Sequence, residues 1–287
     1  MTLPLYCGFP SDCKTEYNLG TQGQITPVTK IWPLVAKPYQ GLLLIGLYLM
    51  FVLKWGPRWM RNQKPFNLDA LLIVYNAFQV IACMYLFVTA ITTSWGWDYK
   101  WICEPVDFTN TPNAVTMAKI TYMYYLLKIV DLLDTVFFVL RKKNSQISFL
   151  HLYHHAGMVM LIWGATTYFP GGHGTMVGLI NSFVHVIMYS YYLLTVAYPN
   201  TKNKIWLKKL VTQQRLYYGY RTMDWGTIVF IPDCAYPRWT SAIFLPQNLF
   251  MLVLFTDFYI KTYIKAPKQK LKYNNTKENA SIFNFHF

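Results

Sequence analysis

Three histidines crowd five positions in the stretch HLYHH, as His151, His154 and His155. Two other stretches carry groups of matching chemistry. KIVDLLDT supplies Lys128, Asp131, Asp134 and Thr135, and NSFVHVIMYSYY supplies Asn181, His185, Tyr189 and Tyr192. A neutral imidazole attacks an activated acyl group, and a second imidazole shuttles the proton. A lysine ammonium, an imidazole N–H or a carboxamide then stabilises the negative charge that develops. Carboxylates beside them orient the imidazoles and neutralise the lysine. Imidazoles at this density also suit metal: His151, His154, His155 and His185 would be enough for one zinc ion, although a nearby lysine ammonium disfavours a cation.

Helical phase joins these groups, because residues three, four and seven apart share a face. Lys128, Asp131 and Thr135 align, with Asp134 beside them. His151 and His155 align, with His154 flanking, and Asn181, His185, Met188 and Tyr192 form a third stripe. Taken singly, Asn181, Thr135 and Tyr192 read as polar groups that fix helix packing. The charged and imidazole groups together read as a site.

The elements that must position them are apolar. Of 287 residues, 54% are hydrophobic, 18% aromatic and only 13% charged, which excludes an ordinary soluble domain. Windows near 39–55, 67–93, 115–140, 146–167, 174–198, 207–231 and 239–264 approach the ~20 residues needed to cross a bilayer. The expected fold is an all-α polytopic membrane protein with seven transmembrane helices. A lumenal segment covers 1–38, the catalytic helices 39–264, and a basic cytosolic tail 265–287, polar enough to stay disordered. Residues 1–38 lack a basic start followed by an apolar run, so the first spans are expected to act as the targeting signal.

Cations fix the orientation, since Lys and Arg in short loops stay on the cytosolic side. Lys54, Arg58, Arg61 and Lys64 follow the first span, Arg141, Lys142 and Lys143 the third, Lys202, Lys204, Lys208 and Lys209 the fifth, and Lys265, Lys268, Lys270 and Lys272 the seventh. The N-terminus is therefore lumenal or extracellular and the tail cytosolic. The same rule accounts for most of the +14 net charge, and nucleic acid is not implied. At ~1.5 Å per residue from the cytosolic cations, Asp134 lies about 10 Å deep, His154, His155 and Asp131 about 15 Å, and Lys128 and His185 about 20 Å. Ionisable groups at membrane depth mark a site.

At these residues the sequence resembles the very-long-chain fatty acid elongases, the condensing enzymes of the endoplasmic reticulum. HLYHH matches the family's HxxHH box, NSFVHVIMYSYY matches NxxxHxxMYxYY throughout, and KIVDLLDT matches KxxExxDT except that Asp131 stands for Glu. A fourth motif departs. Where the family has TxxQ, then Leu and a second Gln, this chain reads Thr212, Gln213, Gln214, Arg215, Leu216, Tyr217, Tyr218. The resemblance covers residues 30–265. HxxHH is also a box of membrane di-iron oxygenases, but those need more histidines than the six here, of which His286 lies in the tail and His173 in a lumenal turn.

The resemblance implies condensation of a long-chain acyl-CoA with malonyl-CoA to a 3-oxoacyl-CoA, CoA and carbon dioxide, by a ping-pong route through an acyl-histidine. No metal or other cofactor is implied. The helices would form a bundle or barrel around an acyl-chain tunnel closed toward the lumen, with CoA at the cytosolic mouth. His154 is the expected nucleophile, assisted by His151, His155 and His185, with Lys128, Asp131 and Asp134 completing the centre. Asn181, Tyr189, Tyr192 and Thr135 would contact substrate, and Arg141, Lys142, Lys143, Lys208 and Lys209 are candidates for the CoA phosphates. Implied partners are the bilayer and the reductase and dehydratase of the elongation cycle, in the endoplasmic reticulum membrane; the choice between monomer and homodimer stays open. A seven-helix receptor or transporter shares the span count and polarity. Chain length and unsaturation preference are not legible, because one methylene changes selectivity only modestly in an apolar pocket.

Two residue types outside the motifs carry expectations. Arg215, about 10 Å inside its span, either turns inward to a carboxylate, the CoA or the malonyl group, or snorkels to the interface. Of five cysteines, Cys83 reads as a buried thiol, whereas Cys103 and Cys234 fall in lumenal loops where disulfides persist and are expected to pair. Cys7 and Cys13 would then pair locally; a cross-pair between the N-terminal segment and a loop is the alternative.

Overall fold

The computed structural model describes residues 32–227 and 234–265, and the described residues contain helices and no strand. Helix α1 (Pro38–Met50) runs through a π-helical turn at Phe51–Trp55 into α2 (Gly56–Met60). Helix α3 (Asp69–Ala90) ends in a π-helical turn, Ile91–Trp95, and is followed by α4 (Pro112–Val130), α5 (Leu133–Leu140) and α6 (Phe149–Tyr168). The order closes with α7 (Thr175–Ala197), α8 (Ile205–Thr227) and α9 (Trp239–Tyr259), which continues into a π-helical turn, Ile260–Lys265. The expectations for residues 1–31, including Cys7 and Cys13, and for the tail with His286 lie outside the described residues.

Four of these stretches are long and apolar enough to cross a membrane: Pro38–Met60, Asp69–Trp95, Thr175–Ala197 and Trp239–Lys265. The chain is a multi-pass membrane protein on that ground. The windows expected at 115–140, 146–167 and, as far as Thr227, 207–231 are mostly helical as well. They are less apolar because they carry Lys128, Asp131, Asp134, His151, His154, His155, Lys208, Lys209 and Arg215. The first span is longer than the 39–55 window, and Lys54 and Arg58 sit on its last turns rather than beyond it.

Local sequence sets the helix starts. Thr111 Oγ1 accepts from the Ala114 N–H at 3.3 Å, with Pro112 in the first turn of α4, and Ser148 Oγ accepts from the His151 N–H at 3.2 Å to open α6. One expectation is corrected here: 115–140 is not a single regular helix. After Asp131 the N–H groups of Leu132, Asp134 and Thr135 reach carbonyls three residues back, at 3.2 Å each, so the chain tightens into a 3₁₀-like turn between α4 and α5. The pair Lys128 and Asp131 sits on the last turn of α4.

Helices α3 and α7 pack along each other more extensively than any other two. The buried stripe of α3 is Leu72, Tyr75, Asn76, Gln79, Cys83, Leu86 and Ala90, spaced three and four apart. It meets Met176, Leu179, Ser182, His185, Met188 and Tyr189 of α7. The opposite face of α3 exposes Leu71, Val74, Phe78, Ile81 and Tyr85, as a lipid-facing surface does. Helix α4 packs on α6, and α8 on α9.

Away from His151, His154, His155 and His185, Cys103 and Cys234 form a disulfide with Cα atoms 5.7 Å apart, as expected from the sequence. Val106, Phe169 and Tyr236 pack around it. Gly172 sits beside this cluster at φ 63°, where a Cβ would come within 2.8 Å of the Pro105 carbonyl. The disulfide spans a sequence separation of 131 residues. Its removal by Cys103→Ser is expected to cost about 4–5 kcal/mol through the loop-closure entropy returned to the unfolded chain. The detergent-solubilised variant should melt well below the parent, and Cys103→Ser/Cys234→Ser should melt with the single variant; a melting temperature unchanged by reduction would contradict this.

Candidate active site

The site is built around two charges with almost no access to solvent. Lys128 is 3% exposed and Asp131 1%. Lys128 Nζ donates to Asp131 Oδ2 at 2.8 Å, across one turn of α4. The other oxygen of the carboxylate accepts two further hydrogen bonds. Gln79 Nε2 donates to Asp131 Oδ1 at 2.7 Å and to the Tyr75 hydroxyl at 3.0 Å, so both of its hydrogens are used. The Tyr189 hydroxyl lies 3.1 Å from Asp131 Oδ1 and 2.9 Å from Asp134 Oδ2, one hydrogen held between two carboxylates. His185 Nδ1 stands 3.3 Å from Lys128 Nζ and 3.7 Å from Asp131 Oδ2. These contacts tie α3, α4 and α7 together.

The four histidines divide by how their nitrogens are used. His185 is engaged by Lys128, and His151 Nε2 lies 2.8 Å from Thr135 Oγ1. His154 and His155 have no hydrogen-bond partner among the described residues and are half-buried rather than sealed. The rings of His151 and His155 are 4.3 Å apart and those of His154 and His155 5.5 Å, close enough to pass a proton directly or through one water. His154 also stands edge-on to Phe255 of α9, with centroids 5.9 Å apart.

Arg215 turns inward. Its guanidinium donates to Met188 Sδ and to the Tyr192 hydroxyl at 3.4 Å, and lies 6.0 Å from the same Phe255 ring that His154 faces. No carboxylate forms an ion pair with it among the described residues, so the expected carboxylate partner is not found there. Its charge reaches His151, His154, His155, His185 and Asp134 electrostatically.

Other residues singled out from the sequence have more local work. Asn181 Oδ1 accepts from the Tyr124 hydroxyl at 2.8 Å, and Lys128 Nζ sits 4.9 Å over the Tyr124 ring. Behind Tyr124 a largely apolar cavity of ≈ 50 Å³ runs between α3, α4, α6 and α7 toward Tyr236. Tyr189 serves the two carboxylates. Of the cations expected at the cytosolic mouth, Arg141 pairs with Asp69 at 3.1 Å and Lys142 Nζ donates to the Arg61 carbonyl at 3.3 Å, while Lys143, Lys208 and Lys209 are exposed. Among the described residues no three His, Cys, Asp or Glu side chains converge as a metal site.

Sequence reasoning missed Gln79, Tyr75, Tyr48 and Tyr124. A signal existed for Gln79, since a carboxamide in mid-span, four residues from Tyr75 on the same face, is costly unless it has a task. Tyr48 gave none, because a tyrosine in a first span looks like any lipid-facing aromatic.

A family model described as "ELO: GNS1/SUR4 family" matches residues 33–271. The chain is 38% identical over 239 residues to very long chain fatty acid elongase 4 of Homo sapiens, covering 83% of this chain and 75% of that one. It is 37% identical over 245 residues to elongase 7 of Rattus norvegicus, with 84% and 87% covered. Elongase 1 of Mus musculus is 35% identical over 245 residues, with 84% and 88% covered.

Removing one member of the buried pair strands the other. Lys128→Met is therefore expected to destabilise the protein by about 3–5 kcal/mol. Lys128→Met/Asp131→Asn should recover part of this, measured as denaturation midpoint in detergent. A single variant as stable as the parent would show that the pair carries no such constraint.

Proposed function

Given that the chain belongs to the ELO (GNS1/SUR4) family and is a membrane-embedded enzyme of fatty acid elongation, we propose that it performs the condensing step. An acyl-CoA and malonyl-CoA give a 3-oxoacyl-CoA longer by two carbons, with release of CoA and carbon dioxide. The observation that carries this reading is the division of the histidines: His154 and His155 present unpaired nitrogens, while His151 and His185 are held by neighbours.

His154 attacks the acyl thioester, the carbon–sulfur bond breaks, and the imidazole proton passes through His155 to the departing thiolate. Malonyl-CoA then loses carbon dioxide, and the electrons of the broken carbon–carbon bond become an enolate. Its negative charge is met by the N–H donors of Lys128 and Arg215. The enolate carbon attacks the acyl-imidazole, the carbon–nitrogen bond breaks, and the leaving imidazolate takes up a proton from solvent relayed through His155, which restores neutral His154. No cofactor enters this sequence. The acyl chain extends past Tyr124 toward the apolar cavity, in a seven-span arrangement around an acyl tunnel. Each buried methylene is worth ~0.8 kcal/mol, so an apolar channel binds long chains without a specific contact. Lys208 and Lys209 hold the CoA phosphates at the cytosolic mouth, with the N-terminus lumenal and the enzyme in the endoplasmic reticulum beside the reductase and dehydratase that consume its product.

The test is incorporation of label from malonyl-CoA into lipid by the purified protein, dependent on added acyl-CoA. His154→Ala and His185→Ala are each expected to abolish it while the protein still folds; full activity in either removes that residue from the mechanism. A covalent acyl adduct mapped to another histidine would displace His154 as nucleophile. Arg215→Gln, which restores the family's residue, is expected to lower kcat/KM for malonyl-CoA by about tenfold or more, the worth of a hydrogen bond from a charged donor. Acyl-CoA-dependent release of CoA should be unaffected in that variant, and a parent-like kcat/KM would take Arg215 out of the reaction.

A further inference from the structure

Tyr48 stands on α1, away from the motif-bearing helices, and is 7% exposed. Its hydroxyl is 2.7 Å from Thr135 Oγ1, and Thr135 Oγ1 is 2.8 Å from His151 Nε2. Thr135 itself is completely buried. Among the described residues Thr135 is the one hydrogen-bond partner of the Tyr48 hydroxyl.

Three arrangements of the hydrogens are open to this row, and if both Tyr48 and His151 Nε2–H donated to Thr135, the threonine's own buried hydrogen would be left without an acceptor among the described residues. If His151 Nε2–H donated to Thr135, then Thr135 would donate to Tyr48, and the phenolic hydrogen would be buried without an acceptor. An unspent buried donor carries its full desolvation cost. If Tyr48 donates to Thr135, then Thr135 donates to His151 Nε2, and each hydroxyl hydrogen is used. The second direction is the stable one. It makes His151 Nε2 an acceptor and leaves the hydrogen on Nδ1, on the ring that lies 4.3 Å from His155.

We infer that Tyr48 is a positioning residue that acts through Thr135 to fix the orientation and tautomer of His151. It touches no substrate. Its effect rests on the condensing reaction proposed above: a fixed His151 withholds its Nε2 from the acyl group and faces a hydrogen toward His155, leaving His154 as the nucleophile. Helix α1 thereby contributes to the chemistry although it carries none of the motifs.

Two measurements test this separately. In steady-state condensation, Tyr48→Phe is expected to lower kcat about tenfold, roughly one hydrogen bond in rate, with KM for acyl-CoA unchanged. Thr135→Val should lower kcat at least as far, and Tyr48→Phe/Thr135→Val no further than Thr135→Val alone, since both remove one relay. Thr135→Ser, which keeps the hydroxyl, should stay close to the parent. Parent-like kcat in Tyr48→Phe, or additive losses in the double variant, would overturn the inference. Independently of turnover, carbethoxylation by diethyl pyrocarbonate, read histidine by histidine by peptide mass spectrometry, should be slow at His151 in the parent. It should accelerate there in Tyr48→Phe while His154 is unchanged. Equal rates at His151 in both proteins would overturn the relay even in a protein that did not condense; a parent inactive with malonyl-CoA but showing this acceleration would refute the proposed function alone.

Discussion

The arrangement depends on one expensive feature, the ion pair of Lys128 and Asp131 sealed between helices. Two charges removed from water are tolerated only when their mutual attraction is joined by hydrogen bonds to every remaining lone pair. That requirement reaches outward. It recruits Gln79 and, through it, Tyr75 from α3, Tyr189 and His185 from α7, and the tightened turn between α4 and α5 that follows Asp131. Helices in lipid gain little from apolar burial against one another, because lipid tails are as apolar as leucine. A polar hub with a single satisfactory geometry therefore specifies how α3, α4 and α7 meet.

The same hub separates the roles of the histidines. His185 is bound to it through Lys128, whereas none of the α6 histidines hydrogen-bonds to the ion pair among the described residues. Two of them keep unpaired nitrogens, and one is tied back to Thr135. Arg215 adds a positive charge that no carboxylate among the described residues closes, next to the aromatic ring that borders His154. Fixed donors are what a reaction passing through an anion requires, since they need no reorganisation when the charge forms.

Away from this level the protein is held by other means. The opposite end is closed by the Cys103–Cys234 disulfide with Val106, Phe169 and Tyr236 packed around it. The outer surfaces of α1, α3 and α9 expose leucine, valine, isoleucine and aromatic side chains to lipid. The centre is thus held by buried hydrogen bonds where chemistry is proposed, and the loops at the far end are covalently tied.

The membrane class, the helical content, the three motifs and the pairing of Cys103 with Cys234 were legible in the sequence, because each rests on composition, on helical period or on which side of the membrane a loop falls. Motif spacing also placed Lys128, Asp131, His151, His154, His155 and His185 on common faces, and the structure brings them together. What the sequence left open were the partners. That Gln79 rather than a further histidine completes Asp131, that Tyr189 bridges two carboxylates, that Arg215 meets Met188 and Tyr192 instead of a carboxylate, and that Tyr48 reaches His151 through Thr135 follow from contacts 16 to 87 residues apart in the chain. Periodicity along one helix says which face a residue occupies. Which residue of another helix it meets depends on the depth, rotation and tilt at which the two helices pack, and the satisfaction of the buried charges selects these only once the helices are assembled.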